Sequence, residues 1–457
     1  VREIKRHMGT DYSVKLGQSV YTPQEVSAQI LKLLKEYTSE TELGMMMNEA
    51  IISVPANFKD AQRQATLDAA KIAGLNVPML IPEPTAAALA FGVNNMNIDE
   101  NIVVFDFGGG TLDISLLEMF EGVIEVKRID GDSNLGGKDI DDLVFNWVKQ
   151  QVNQQYPGAT WAIGDFALKS ICEEAKVKLS SQSEYIISHA MALNYKGSHA
   201  PLELRLNQDI FGQIISSALD KATACLENIL KGDGRQKKRI DKSSISRVLM
   251  VGGSTYIPSV RDRVSSVLNL DVSHDVDPDL AVGIGACLRS AIFQGAIEPE
   301  KEIMLADISP FSVGVEIVEV VNDHIVPGIF SPLIHQNAPI PTTSFHNYSL
   351  MHLEQSAVTI KLFQGNSKFT IENEMLAEAE IENIPPSETA TPRQLGINFK
   401  FDLSGIVSLD VNVEGTDLDA TLSADPRQGR MDDDQLLLAQ QKLSAESSSH
   451  QLAVENH

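Results

Sequence analysis

Hydrophobic and polar positions in this chain follow two rhythms, and the change between them divides it. In the first two thirds, apolar runs of strand length alternate with stretches of helical period. "TPQE" at Thr22–Glu25 is a helix start: Thr22 suits the N-cap, Pro23 the first helical position, and Glu25 completes a capping box. Val26, Ile30, Leu33 and Leu34 then recur at helical spacing. "EAIISV" predicts a strand, and "DAQRQATLDAAKIAGL" a helix ending at Gly74. "PMLI" predicts a short strand and "EPTAAALAFG" a helix. "ISRVLMVGGSTYIPSVRDRVSSVL" reads as strand, Gly-Gly turn and helix, and "DPDLAVGIGACLRSAIF" as a capped helix. Such alternation predicts an α/β sheet that binds ligands at its strand ends.

After Gln294 the rhythm changes. "GAIEPEKEIMLADISP" reads as a charged, irregular linker. From Ser312 to about Leu422, short β-rich runs follow, among them "VGVEIVEVV", "SAVTIKLFQG", "INFKFDL" and "GIVSLDVNVEG". Gly, Asn, Asp and Pro separate them, which predicts an all-β sandwich. Beyond Pro426 the tail is polar apart from "DDDQLLLAQQKL", which predicts one short helix.

Length and charge set bounds on this picture. At 457 residues the chain exceeds the roughly 250–300 at which single cores stop growing, so at least two domains are expected. The net charge of −25 argues against a general nucleic-acid binder and against attraction to an anionic membrane surface. Cys172, Cys225 and Cys287 are odd in number and have no metal-like spacing, which predicts three reduced thiols in a reducing compartment. No apolar run approaches the roughly 18–20 residues of a membrane span.

Two glycine-rich stretches carry the candidate chemistry. In "NIVVFDFGGGTLDISLLE", Gly108–Gly110 separate two apolar runs, with Asp106 before them and Thr111 and Asp113 after. Glycines let a backbone approach a ligand closely and form an anion-binding nest. The stretch reads as a hairpin loop that cradles phosphates, or else as a glycine-rich hairpin with solvated aspartates. No "GK[ST]" follows, so it is not a P-loop. Asp106 suits a magnesium ion held through water, and Thr111 offers a hydroxyl to a terminal phosphate. In "VLMVGGSTYIP", Gly252 and Gly253 read either as a flat platform for a nucleoside ring or as ordinary packing.

In order along the chain, "VPANFKDAQRQAT", "IPEPTAAALAFG", "FDFGGGTLDISLLE", "GDSNLGGKDIDD", "CEEAKVKLS", "VGGSTYIP", "DPDLAVGIGA", "DISPFSVGVE", "IPTT" and "SAVTIKLFQG" resemble the 70-kDa heat-shock chaperones, the DnaK type. The resemblance implies a two-lobed, actin-like α/β ATPase domain over residues 1–298, incomplete at its N-terminus. It further implies a linker at 299–308, a β-sandwich peptide-binding domain at 309–424, and a short tail or lid remnant at 425–457. The function implied is ATP-dependent binding of exposed apolar segments of unfolded proteins, with hydrolysis controlling peptide affinity. ATP or ADP and magnesium are the implied cofactors. The implied partners are unfolded peptides, a J-domain co-chaperone and a nucleotide exchange factor, in a cytoplasmic stress response.

Residue by residue, the resemblance places Lys5 beside the γ-phosphate and the attacking water, although alone it would read as a surface lysine. Glu83 and Asp106 match the metal-side carboxylates acting through water, Thr111 the phosphate-side threonine, and Asp113 the second aspartate of that loop. Gly108, Gly109 and Gly110 match the phosphate loop. Glu173, Lys176 and Ser180 match the adenosine contacts of one lobe; Gly252, Gly253 and Ser254 match the nucleoside loop, and Asp279 a further adenosine contact. Pro55, Arg63 and Asp307 match the coupling between domains. Ile329, Phe330, Val358 and Ile360 match an apolar peptide slot, although Val358 and Ile360 equally suit sandwich core.

Some positions depart from the family pattern. Tyr256 and Val177 stand where stacking arginines are frequent, the linker "EIMLAD" is poor in leucine, and the tail is too short for a full helical lid. These departures suggest a divergent bacterial branch similar to the HscC-like chaperones. The family's first phosphate loop, "GTT" between strands, is expected before Val1, so this chain is expected to hydrolyse ATP poorly. The alternatives are a peptide-binding module dead to nucleotide and a small-molecule kinase of actin fold.

Overall fold

The structure, a computed structural model, describes residues 3–39, 44, 46–93, 95, 98–231, 239–272, 275–297, 303–321, 324–402, 406–423 and 431–454. The chain divides into two compact units. The first comprises residues 1–54, 58–82 and 305–457, and the second comprises 55–57 and 83–304.

The first unit begins with a 3-10 turn at Ile4–His7 and a small hairpin, β1 (Val14–Leu16) and β2 (Ser19–Tyr21). Helix α1 (Pro23–Tyr37) starts as its sequence predicts: Thr22 Oγ1 accepts from Glu25 N at 3.3 Å, and Glu25 Oε2 accepts from Thr22 N at 2.7 Å. Its apolar stripe is only partly buried. Val26 is inside, but Ile30, Leu33 and Leu34 are 52%, 66% and 56% exposed, so the period that predicted the helix does not predict its buried face. Strand β3 (Ile52–Val54), helix α2 (Asp60–Ile72) and strand β4 (Leu80–Pro82), which pairs parallel to β3, form a βαβ crossover. Gly74 takes φ +70° just past the end of α2, the left-handed conformation that glycine adopts without strain.

In the second unit, helix α3 (Glu83–Gly92) leads into the antiparallel strands β5 (Glu100–Phe107), β6 (Leu112–Phe120) and β7 (Val123–Asp132). Helix α4 (Gly137–Gln155), strand β8 (Thr160–Trp161), helix α5 (Asp165–Leu179), and the long hairpin β9 (Glu184–Tyr195) and β10 (Ser198–Asn207) follow. Then come helices α6 (Gln208–Ile214) and α7 (Ser216–Lys231), strand β11 (Ile245–Val251), and helices α8 (Pro258–Leu268) and α9 (Ala281–Phe293). Strand β11 pairs parallel to β5, giving the order β11-β5-β6-β7. Every residue of β5 from Ile102 on is buried, because both faces of the strand are covered. Val103, Phe105 and Phe107 join a core with Ile140 and Val144 of α4 and Leu168 and Cys172 of α5. Helix α3 packs on this sheet and against α9, where Gly285 is essential: a Cβ there would collide with the Ala86 carbonyl.

The remainder of the first unit is β-rich. Residues Met304–Ile308, expected as irregular linker, form strand β12, and Asp307 pairs with Ile340 of the short strand β15 (Pro339–Ile340). Strands β13 (Val313–Val321), β14 (His324–Ile334), β17 (Val358–Gln364) and β18 (Glu374–Ile381) make one antiparallel sheet, ordered β14-β13-β17-β18. Strands β16 (Thr342–Ser349), β19 (Gln394–Phe401), β20 (Val407–Val413) and β21 (Asp419–Ser423) make a second. Val407, Leu409, Val411 and Val413 alternate inward along β20 by the period-two rule and share one core with Val313, Val315 and Leu362 of the first sheet. The tail helix is longer than its apolar run suggested: α10 spans Asp433–Val454 and packs Leu436, Ala439 and Leu443 against Ala28, Ala69 and Ile72. Among the described residues no helix is long and apolar enough to cross a membrane.

Candidate functional site

The triple glycine is the turn of the β5–β6 hairpin. Its closing bond runs from Gly108 N to Thr111 O at 3.1 Å. Asp106 and Asp113 face each other directly across the hairpin and are 7% and 1% exposed. Buried carboxylates need partners. Asp113 Oδ1 accepts from Asn57 N at 3.1 Å and from Asn57 Nδ2 at 3.3 Å. The reading of two solvated aspartates is therefore not what the fold shows. Thr111 is buried beside them.

The start of α4 closes on this loop. Gly137 N donates to Gly108 O and Lys138 N to Gly109 O, both at 3.0 Å. A Cβ on Gly136 would stand 2.6 Å from Gly109 and Gly110 backbone atoms, so only glycine permits the approach. Ser254 Oγ donates to Gly108 O at 2.9 Å, bringing the second glycine loop to the first. Gly252 takes φ +81°, and a Cβ there would meet Phe107 O at 2.6 Å and Asp106 Oδ1 at 2.9 Å. The helix expected directly behind Gly252–Gly253 is a 3-10 turn, Gly253–Tyr256, and α8 begins only at Pro258. Helix α9 carries no side-chain cap; Asp277 instead shapes the turn before it, its Oδ1 accepting from Asp279 N at 2.9 Å.

From α5, Lys176 Nζ donates to Gly137 O at 3.0 Å and contacts both Asp141 oxygens, Oδ1 at 2.8 Å and Oδ2 at 3.0 Å. Burial pushes the Asp141 carboxyl up to about 6, against the opposing pull of the Lys176 amine. Glu173 is half-buried on the same helix, and Ser180 Oγ is turned back to its own helix, donating to Lys176 O at 3.2 Å. Val177 is 59% exposed. Tyr256 donates its hydroxyl to Asp279 Oδ2 at 3.2 Å.

The second unit thus brings together the glycine loop, Asp106, Thr111, Asp113, Lys176, Gly252, Gly253, Ser254 and Asp279; Glu83 opens α3, which packs on the same sheet. Pro55 belongs to this unit too, buried near Asn57 in sequence. Lys5, Arg63 and Asp307 belong to the first unit, where Arg63 is buried and donates from Nε to Phe58 O at 3.1 Å. Sequence reasoning missed Asn57, Gly136, Gly137 and Asp141. The adjacent glycines at the start of α4 repeat the Gly-Gly signal of the other loop.

Among the described residues, no group of three or more His, Cys, Asp or Glu side chains is placed to hold a metal ion. Magnesium keeps several of its waters and is bound through one or two carboxylates instead of a dedicated protein cage.

In the first unit, Ile329 and Phe330 on β14 are 3% and 8% exposed. Ile329 bridges Phe369, and Phe330 N donates to Lys368 O at 2.9 Å. Ile360 sits in the core shared by the two sheets, with Val358 packed against it.

The profile of the Hsp70 protein family matches residues 2–457, nearly the whole chain. Members of that family are ATP-dependent chaperones that bind nucleotide, unfolded polypeptides and co-chaperones, and mixed α/β architecture accords with their actin-like ATPase domain. The chain belongs to the Hsp70 family.

Proposed function

We propose that the second unit is the nucleotide-binding and hydrolysing part of an ATP-dependent chaperone, and that the two four-stranded sheets form a β-sandwich that grips extended apolar peptides. The observation that carries the first half is the convergence of two glycine loops on the buried Asp106–Asp113 pair. In this reading the Gly108–Gly110 backbone approaches the phosphates. Thr111 positions the terminal phosphoryl group, and Lys176 and the Gly252–Ser254 loop orient the nucleoside. Asp113, anchored by Asn57, keeps the hairpin in register beneath them. Asp106 and Glu83 would hold magnesium through water, and the ion when bound offsets phosphate charge. Phosphoryl transfer to water needs mainly such positioning and charge stabilisation.

The test is calorimetric titration of the full chain with magnesium-ATP, followed by single-turnover hydrolysis. Saturable binding is expected. Thr111→Ala is expected to lower the single-turnover rate more than the affinity, because its hydroxyl acts on the reacting phosphate. Absence of adenine-nucleotide binding would sink this reading and leave a peptide-binding module. A loss of affinity alone in Thr111→Ala would reassign the threonine to the bound ground state.

A further inference from the structure

Among the described residues three ion pairs join α4 to α5, Lys149–Asp165, Asp142–Lys169 and Asp141–Lys176, and they differ in what else they touch. Asp142 with Lys169 lies at the surface, where the side chains are 36% and 40% exposed. Asp141 with Lys176 is enclosed, each side chain 14% exposed. The Lys176 amine is shared: besides both Asp141 oxygens it reaches Gly137 O at 3.0 Å. Gly137 N in turn donates to Gly108 O, and the next amide, Lys138 N, to Gly109 O. A continuous chain of polar contacts therefore runs from Asp141 through Lys176 and the first residue of α4 to the triple-glycine turn.

Each link has a physical reason to be specific. An ammonium group has three donors, and here Asp141 and Gly137 O engage it on the side of α4. Glycine at 136 and 137 allows the backbones to meet; a Cβ on Gly137 would stand 3.0 Å from both Lys176 Nζ and Ser254 Oγ. Nothing intrinsic to a polyglycine turn holds it in one shape, since glycine loses more conformational freedom on ordering than any other residue. An external clasp is what such a loop needs to be preorganised.

We propose that Asp141 is a positioning residue: it fixes Lys176 so that the amine clasps the first turn of α4 onto the Gly108–Gly110 loop, and thereby sets the loop's readiness for nucleotide phosphates. Its consequence for affinity rests on the nucleotide reading above, whereas the clasp itself does not. The titratable groups around Asp141 are Lys176, Glu173 and Cys172 on α5, and Asp142 beside it on α4. Of these only Lys176 supplies positive charge, so the carboxylate and the amine act as one unit. Asp141 touches no reacting atom in this scheme.

The experiment uses the full chain in two arms. Hydrogen–deuterium exchange reads the amides of Gly137 and Lys138 without nucleotide. Asp141→Asn and Lys176→Met are each expected to speed their exchange about tenfold, while Asp142→Asn, which breaks the neighbouring pair between the same helices, leaves it unchanged. The second arm measures ADP affinity; Asp141→Asn is expected to weaken it about tenfold, with Asp142→Asn at the wild-type value. Equal effects of Asp141→Asn and Asp142→Asn would overturn the proposal, because general α4–α5 packing would then explain both. Unchanged exchange in Asp141→Asn would overturn it as well. A lost clasp in that variant, with no ADP binding even by the wild-type chain, would uphold the clasp and overturn the nucleotide reading.

Discussion

Asp113 accepts two hydrogen bonds from a single residue, Asn57: one from the backbone amide at 3.1 Å and one from Nδ2 at 3.3 Å. The carboxylate is 1% exposed and lies directly across the hairpin from Asp106. Asp113 is thus an anchor of the hairpin that carries the glycines. Asp113→Ala removes the acceptor and leaves the half-buried Asn57 donors without it, at a cost of about 1–3 kcal/mol. Asn57→Ala keeps the backbone bond and is expected to cost less. Thermal unfolding of the two variants checks this, and an equal or reversed order would mean that the side-chain bond carries the anchoring.

The three thiols offer a separate check on packing. Burial pushes the Cys172 thiol up to about 12, with Asp141 and Asp142 adding to it, and pushes the Cys225 thiol up to about 12, with Asp130 and Asp132 adding. Cys287 is exposed on α9. The thiolate is the reactive form, so at pH 8 a thiol reagent is expected to titrate Cys287 quickly and the other two only on unfolding. Mass spectrometry of the modified native chain locates the label. Rapid labelling of Cys172 would show that the α4–α5 core opens.

Asp141 gives a pH signature of defined sign. Its carboxyl is raised in the folded chain to about 6 from a usual value of 3.8, burial being the larger cause. Between those values the folded state holds a proton that the unfolded state has released. The contribution of this group to stability therefore falls as pH rises from about 4 to about 6 and is level above that. Asp141→Asn removes the dependence. Chemical denaturation of both chains at intervals from pH 4 to 7 is expected to show the wild type losing ground to the variant across that window. A wild type that gains ground there would mean that Lys176 holds the carboxylate ionised throughout.

The sequence made the strand–turn–strand of Asp106–Asp113 and the capped start at Thr22 legible because each rests on local chemistry: glycine at a hairpin turn, and a threonine three residues before a glutamate. Buried faces were less legible. Ile30, Leu33 and Leu34 have the right period on α1 and remain exposed, since periodicity marks a face without naming what covers it. Residues Met304–Ile308 looked irregular because a strand of five residues, flanked by charges, offers too little alternation to recognise. The contacts of Asn57 with Asp113 and of Lys176 with Asp141 join residues 56 and 35 positions apart, and no local pattern encodes such pairings.

The peptide-binding reading makes its own demand, and membership of the core between the sheets, not burial, separates the four residues assigned to it. Ile360 points into the core between the two sheets, and Val358 packs against that core. Ile360→Ala is therefore expected to destabilise the sheets by about 2–5 kcal/mol, the range for large-to-small core substitutions, whatever the sheets bind. Phe330 is placed differently from Ile360. It is 8% exposed on β14 and stands outside the core that unites the sheets; its backbone is tied to Lys368, next to the half-exposed Phe369 and the fully open Ile371. Apolar side chains gathered at a strand beside an accessible loop suit recognition of an extended peptide through backbone bonds and one or two apolar side chains. Phe330→Ala is expected to keep the far-ultraviolet circular dichroism of the wild type while losing affinity for a labelled, leucine-rich extended peptide. Fluorescence anisotropy measures that affinity, with wild-type binding expected in the micromolar range or weaker, about −8 kcal/mol or less favourable. Unchanged affinity in a folded Phe330→Ala chain would move the peptide site elsewhere on the sheets. Failure of the wild type to bind any member of an apolar peptide library would remove peptide capture from the function of this chain.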